Sequence, residues 1–207
     1  MDTKAFFKLS YGLYVITSQY NNKDSGCIAN TFAQVTSEPS QISITLNKNN
    51  YTTELIENSR IFNCGVLLDD VSMEVIRHFG FQSGRDVDKF KDIEYFVDEQ
   101  NVKQIKNGLA ATFTCKVNKI VDVGTHEIFI AEVIDAKVLS NEPVLTYSNY
   151  HLKKNGATPK NAPSYVEEKK QGYRCTICGF IYEGETLPED FVCPVCKKDA
   201  SYFEKID

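Results

Sequence analysis

The 207-residue chain contains no run of eighteen apolar residues, so no transmembrane helix is expected. It also lacks a basic excess: 23 Lys and Arg stand against 28 Asp and Glu, for a formal charge of −5. That balance argues against a nucleic-acid binder, which would carry a positive surface. No G-x-G-x-x-G stretch is present, which excludes a Rossmann dinucleotide site. There is no internal repeat and no low-complexity tract. The first eight residues lack the apolar core of a secretory signal, and a cytoplasmic protein is expected. Hydrophobic residues make up 42% and charged residues 25%, the balance of a packed globular chain. The length suits one ordinary domain plus a small module.

Four of the seven cysteines form two matched pairs, Cys175-Thr-Ile-Cys178 and Cys193-Pro-Val-Cys196. Each C-x-x-C turn lets two thiolates face one ion, with backbone N–H groups directed at the sulfurs. Four sulfurs in a tetrahedron select zinc or iron. Two disulfides are disfavoured in a reducing compartment. Cys64 and Cys115 are expected to be buried free thiols. Cys27 lies beside a candidate site discussed below.

Three zones are expected: a globular domain over residues 1–150, a flexible linker over 151–171 with two prolines and five lysines, and the cysteine module over 172–207. In the first zone, residues 12–18, 40–46 and 60–67 are rich in β-branched residues or alternate with period two, which predicts strands. Residues 111–123 and 127–139 predict a long antiparallel hairpin joined at 124–126. Residues 52–59, opened by Thr52 as a cap, and 71–79, stopped at Gly80, predict short helices. The fold class is therefore mainly β, an antiparallel barrel with few short helices.

Three stretches offer ligand-binding chemistry. The first, residues 26–39, includes Asn30, Thr31, Gln34, Val35 and Thr36, and its small and polar residues predict a turn where backbone amides approach a ligand. The second, with Asn47, Lys48, Tyr51 and Thr52, opens a helix, a place suited to a phosphate. The third, with Ser83, Arg85 and Lys89, is a basic, hydroxyl-rich loop. In this order they resemble the flavin reductase-like, FMN-binding split-barrel family, of which flavoredoxin is a member. The resemblance covers residues 1–150. It implies a Greek-key barrel that forms a homodimer, with FMN near the dimer interface. Asn30, Thr31, Gln34, Val35 and Thr36 would line the ring and ribityl chain. Asn47, Lys48, Tyr51 and Thr52 would hold the phosphate end, with Ser83, Arg85 and Lys89 nearby. His151 is a candidate neighbour of the ring, and a solvent-exposed linker histidine is the alternative.

The aromatics around the cysteine pairs, Tyr173, Tyr182, Phe191 and Phe203, resemble those of a shortened rubredoxin, a one-iron electron carrier. A full rubredoxin has a longer loop between the pairs and usually glycine after the last cysteine, where this chain has Lys197. A flavin domain, a basic linker and a rubredoxin-like tail together resemble the high-molecular-weight rubredoxins of anaerobic bacteria. That resemblance implies an oxidoreductase. Reduced FMN, supplied by NAD(P)H directly or through a reductase, would pass electrons to one iron. The iron would pass them to a flavodiiron protein that reduces dioxygen or nitric oxide. A tether of about 20 residues spans roughly 25 Å, enough for the module to visit flavin and partner in turn. The tail of residues 172–207 holds four basic and seven acidic residues, which suggests a partner with a basic patch. Two other readings stand beside this one. The first is a flavin reductase whose tail is a structural zinc ribbon used for docking. The second is a flavin- or haem-binding sensor barrel with an interaction tail.

Overall fold

The computed structural model describes residues 2–154, 162 and 171–206. The expected linker, residues 151–171, lies outside the described residues except for 151–154, 162 and 171. The chain divides into two compact units, Ser10–Tyr147 and Met1–Leu9 with Ser148–Asp207.

The first unit is a seven-stranded antiparallel sheet. Its strands are β1 (Tyr14–Tyr20), β2 (Lys23–Ala29), β3 (Ala33–Ser37), β4 (Ser40–Asn47), β5 (Ile61–Leu67), β8 (Leu109–Asp122) and β9 (His126–Val138), in the spatial order β2-β1-β5-β8-β9-β4-β3. A separate hairpin joins β6 (Tyr95–Val97) to β7 (Lys103–Ile105). The crossover from β4 to β5 passes through α1 (Tyr51–Ser59), and β9 and β8 fill the gap between those strands. This is the mainly-β Greek-key barrel expected from the sequence. Alternation along β4 puts Ile42, Ile44 and Leu46 inside, where they meet Cys27 and Ala29 of β2 and Phe129 and Ala131 of β9. Strands from both ends of the sheet thus share one core, which curls the sheet into a barrel.

The 26–39 stretch is not a single turn. It forms most of β2 and all of β3, separated by a bend at Asn30–Phe32. Its small residues answer to packing. A Cβ on Gly26 would lie 2.9 Å from the Phe79 ring, so glycine there admits the aromatic of α2 (Met73–Gly80). The cap of α1 is Asn50 rather than Thr52: the Asn50 side chain accepts the Thr52 N–H at 3.0 Å. Cys64 and Cys115 are fully buried, as expected of free core thiols.

The second unit contains α3 (Tyr147–Lys154), whose first residue closes the barrel unit, and a three-stranded sheet in the order β11-β10-β12. Those strands are β10 (Gly172–Cys175), β11 (Ile181–Tyr182) and β12 (Phe203–Ile206). Phe191 forms the centre of the ribbon core. Its ring lies 4.8 Å from that of Tyr182, 5.3 Å from Phe203 and 6.5 Å from Phe180. Tyr173, the fourth expected core aromatic, is half-buried on β10 like the other three, with its hydroxyl directed at the Glu185 carbonyl.

Candidate metal centre and flavin site

The two C-x-x-C turns are near copies of each other. The Gly179 N–H bonds the Cys175 carbonyl at 2.9 Å, and the Lys197 N–H bonds the Cys193 carbonyl at 3.0 Å. The residue after each second cysteine takes the left-handed conformation, Gly179 at φ 83° and Lys197 at φ 64°. Each sulfur receives a backbone N–H: from Cys178 to Cys175, Phe180 to Cys178, Cys196 to Cys193, and Lys198 to Cys196. Such bonds favour thiolates.

The four sulfurs lie within 4.8 Å of one another, with Cys175–Cys196 at 3.5 Å and Cys178–Cys193 at 3.6 Å. A regular tetrahedron with metal–sulfur bonds near 2.3 Å has edges of about 3.8 Å, so the cage fits one zinc or iron ion. Cys175, Cys178 and Cys193 are buried, and Cys196 alone of the four is partly exposed. Val192, which precedes Cys193, is 53% exposed.

In the barrel, the second and third ligand-binding stretches meet around the first turn of α1. Arg85 stacks on the Tyr51 ring, 4.7 Å from its centroid, and pairs with Glu54 at 2.6 Å. Lys48, just before the helix, pairs with Asp122 at 2.6 Å. Ser83 is exposed, and its hydroxyl accepts the Arg85 N–H. Lys48, Tyr51, Ser83 and Arg85 thus offer two cations and two hydroxyls near the surface, a donor set that fits a phosphate-ended ligand.

Of the other expected phosphate contacts, Thr52 and Lys89 face inward, and Asn47 holds the turn before α1. Thr52 is fully buried, with its hydroxyl on Ser25 at 3.0 Å. The helix amides of Thr52, Thr53 and Glu54 are all taken by Asn50, so the N-terminus of α1 is not an open anion site. The Asn47 carbonyl accepts the Thr53 hydroxyl, and its side chain accepts the Asn49 N–H. Lys89 is fully buried, with its ammonium on the carbonyls of His78 and Gln82.

Of the expected ring neighbours, Asn30 is buried at the end of β2. The Thr31 hydroxyl clamps the Thr45 backbone, donating to its carbonyl and accepting its N–H. Gln34, Val35 and Thr36 stand on β3, an edge strand exposed along its whole length. His151 belongs to α3, where its ring meets Tyr150 edge-on at 5.2 Å. Cys27 is packed into the core against Thr52 and Asn50, and burial pushes its thiol up to about 11.

Sequence reasoning missed Asn50, Ser25, Gly84 and Phe180. Asn50 carried a usable signal, an Asn just before a helical run. Gly84 carried none, because its role comes from Ser25, far away in sequence.

An antiparallel split barrel joined to a four-thiolate ribbon defines a flavoprotein oxidoreductase with a metal-binding tail. The chain belongs to the flavin reductase like domain family, matched over residues 6–156, and residues 173–204 match the rubrerythrin, rubredoxin-like domain. It is 38% identical, over its whole length and the relative's, to a high molecular weight rubredoxin of Moorella thermoacetica. It is 44% identical to a ferric-chelate reductase (NAD(P)H) of Archaeoglobus fulgidus, across 82% of this chain and all of the relative. The barrel superposes on the NADH:FAD oxidoreductase SgcE6 of Streptomyces globisporus with a TM-score of 0.64 at 24% identity, covering 70% of this chain and 86% of that one. Among the described residues, no helix is long and apolar enough to cross a membrane.

Proposed function

We propose that this protein is a two-centre electron carrier. NAD(P)H, directly or through a reductase, reduces FMN on the barrel. The electrons then pass to one iron held by Cys175, Cys178, Cys193 and Cys196, and from there to a redox partner such as a flavodiiron protein. The observation that carries this proposal is a four-sulfur cage of metal dimensions on the same chain as a flavin reductase barrel. The full-length similarity to a protein named as a rubredoxin supports iron over zinc. When bound, FMN accepts two electrons together and releases them singly, and a four-thiolate iron takes one at a time.

The chain's residues divide the remaining work. Asn30, Thr31, Gln34, Val35 and Thr36 line the ring and ribityl chain, with His151 as a ring neighbour. Lys48, Tyr51, Ser83 and Arg85 hold the phosphate end, while Thr52 braces that corner from within and Asn47 holds the turn before α1. The three functional pieces are the barrel over residues 1–150, the linker over 151–171 and the ribbon over 172–207. A homodimer is part of the proposal, because β3 would otherwise leave ring-lining residues such as Val35, 49% exposed, open to water. In the ribbon, the aromatic cluster around Phe191 keeps water from the buried side of the cage.

The test is anaerobic reduction of full-length protein by NADH and by NADPH, followed at flavin and iron wavelengths, with metal analysis of the same sample. Bleaching of flavin and then iron absorbance supports the scheme. Colourless protein holding only zinc removes it. The similarity to a ferric-chelate reductase favours one alternative: the flavin delivers electrons directly to a soluble acceptor, and the ribbon is a zinc-bound docking element. Metal analysis separates the two.

A further inference from the structure

Lys89 is the one basic side chain among the largest fully buried residues, and no carboxylate faces its ammonium in the hydrogen-bond pattern. Burying an ammonium is costly unless its donors are satisfied. Two of its three donors are met by backbone carbonyls, His78 in the last turn of α2 and Gln82 just beyond, at 2.5 Å, and the ammonium lies 5.6 Å from the centre of the Phe79 ring. The carbonyl end of a helix favours a cation. The tie is reciprocal, because His78 Nε2 lies 2.9 Å from the Lys89 carbonyl oxygen, which can only accept. Two cross-ties therefore close the segment 78–89 into a ring that begins and ends at the same place.

The far side of that ring is the Ser83–Arg85 stretch. The N–H groups of Asp86 and Val87 turn back to the Ser83 carbonyl, and Gly84 lies against β2 and α1. A Cβ on Gly84 would come within 2.2 Å of Ser25 Oγ and 3.1 Å of the Tyr51 ring, so the backbone fits there only as glycine. That fit places Arg85 over Tyr51.

We infer that Lys89 is a positioning residue: it pins the Gln82–Arg85 loop against the start of α1 and so fixes Ser83 and Arg85, which receive the cofactor's phosphate, without touching the cofactor itself. The inference rests on the flavin site proposed above. Its closing experiment therefore has one readout that needs no flavin.

Full-length apo-protein and its Lys89→Met variant are compared by amide hydrogen exchange and by fluorescence titration with FMN. The variant should exchange the amides of residues 82–87 at least about tenfold faster, with the β8–β9 hairpin unchanged, and bind FMN about tenfold more weakly, the loss of one charge-assisted tie. Metal content should stay the same. If Lys89→Met does not fold, Lys89→Gln, which keeps one N–H donor, should show a smaller shift of the same sign in both readouts. Unaltered exchange over residues 82–87 overturns the inference. So does a loosened loop with unaltered FMN affinity. If wild-type protein binds no FMN while the loop still loosens in the variant, the flavin assignment has failed and the positioning role falls with it, although Lys89 still holds the loop.

Discussion

Replacing Cys178 with Ser should unfold the ribbon and leave the barrel intact. Cys178 is fully buried, and its sulfur receives the Phe180 N–H. Structural four-ligand zinc sites supply about 10–16 kcal/mol of apparent binding energy, so one lost thiolate removes roughly a quarter of that, about 2.5–4 kcal/mol. Metal affinity should then fall by roughly a hundred- to a thousandfold. The ribbon has little else to fold around. Segments below about 40 residues seldom fold without a metal, disulfides or a partner chain. Its core is four aromatic rings and Val195. The barrel core cluster, by contrast, runs from Tyr14 to Val133 in sequence and contains no ribbon residue. The assay is metal analysis after gel filtration with a chelator, combined with amide exchange along the chain. Rapid exchange over 172–206 with unchanged protection in β5, β8 and β9 is expected, along with unchanged flavin content. One equivalent of metal retained in the variant would refute the four-thiolate cage. Loss of protection in the barrel strands would refute the separateness of the cores.

Three further outcomes follow from particular residues. Lys197→Gly should stabilise the metal-loaded ribbon by about 1 kcal/mol, because a side chain at φ 64° is strained and glycine is not; calorimetry reads this as a higher ribbon transition. Gly26→Ala should destabilise the barrel by about 1–3 kcal/mol, because the added Cβ meets the Phe79 ring at 2.9 Å, and a barrel melting temperature equal to wild type would contradict that packing. Burial lowers the Lys89 amine to about 8 from the usual 10.5, so the unfolded chain holds that proton more tightly and the penalty is fully present below pH 8. Between pH 7 and 9.5 wild type should gain roughly 2 kcal/mol relative to Lys89→Met, measured by denaturant unfolding at both values, and an unchanged difference would show that the ammonium is not desolvated.

Where side-chain pattern and backbone preference agree, the chain announces its fold. The alternation in residues 40–46 and the long β-branched runs on either side of Gly124 locate β4, β8 and β9, because period-two burial is imposed by the pleat itself. The sequence is quieter at β2 and β3. Gly26, Cys27 and Ala29 look like turn material, yet Gly26 is small because Phe79 of α2, some fifty residues onward, lies over it, while Cys27 and Ala29 face the barrel core. All five residues of β3 are exposed, so no apolar face marks it as a strand.

The sites divide in the same way. Four thiolates at C-x-x-C spacing form a local pattern, and the sulfur distances follow from two nearly identical turns. The barrel site is assembled from segments distant in sequence, and composition cannot say which lysine faces outward. Lys48 and Lys89 look alike as letters, yet Lys48 pairs at the surface with Asp122 while Lys89 is sealed beneath the loop it holds. Net charge has the same weakness. The tail is acidic as a whole, but the residues following Cys196, the one partly exposed ligand, are Lys197 and Lys198. Lys197 is exposed, and Lys198 is held over the Tyr202 ring at 4.8 Å. Asp199 follows directly and is exposed, which leaves a local net of one positive charge. Coulomb forces weaken with distance and are screened within about 10 Å at 0.1 M salt, so a partner approaching Cys196 senses that local charge more strongly than carboxylates farther off. The acidic sum suggests a basic docking patch. The local arrangement favours an acidic one at the point where electrons would cross.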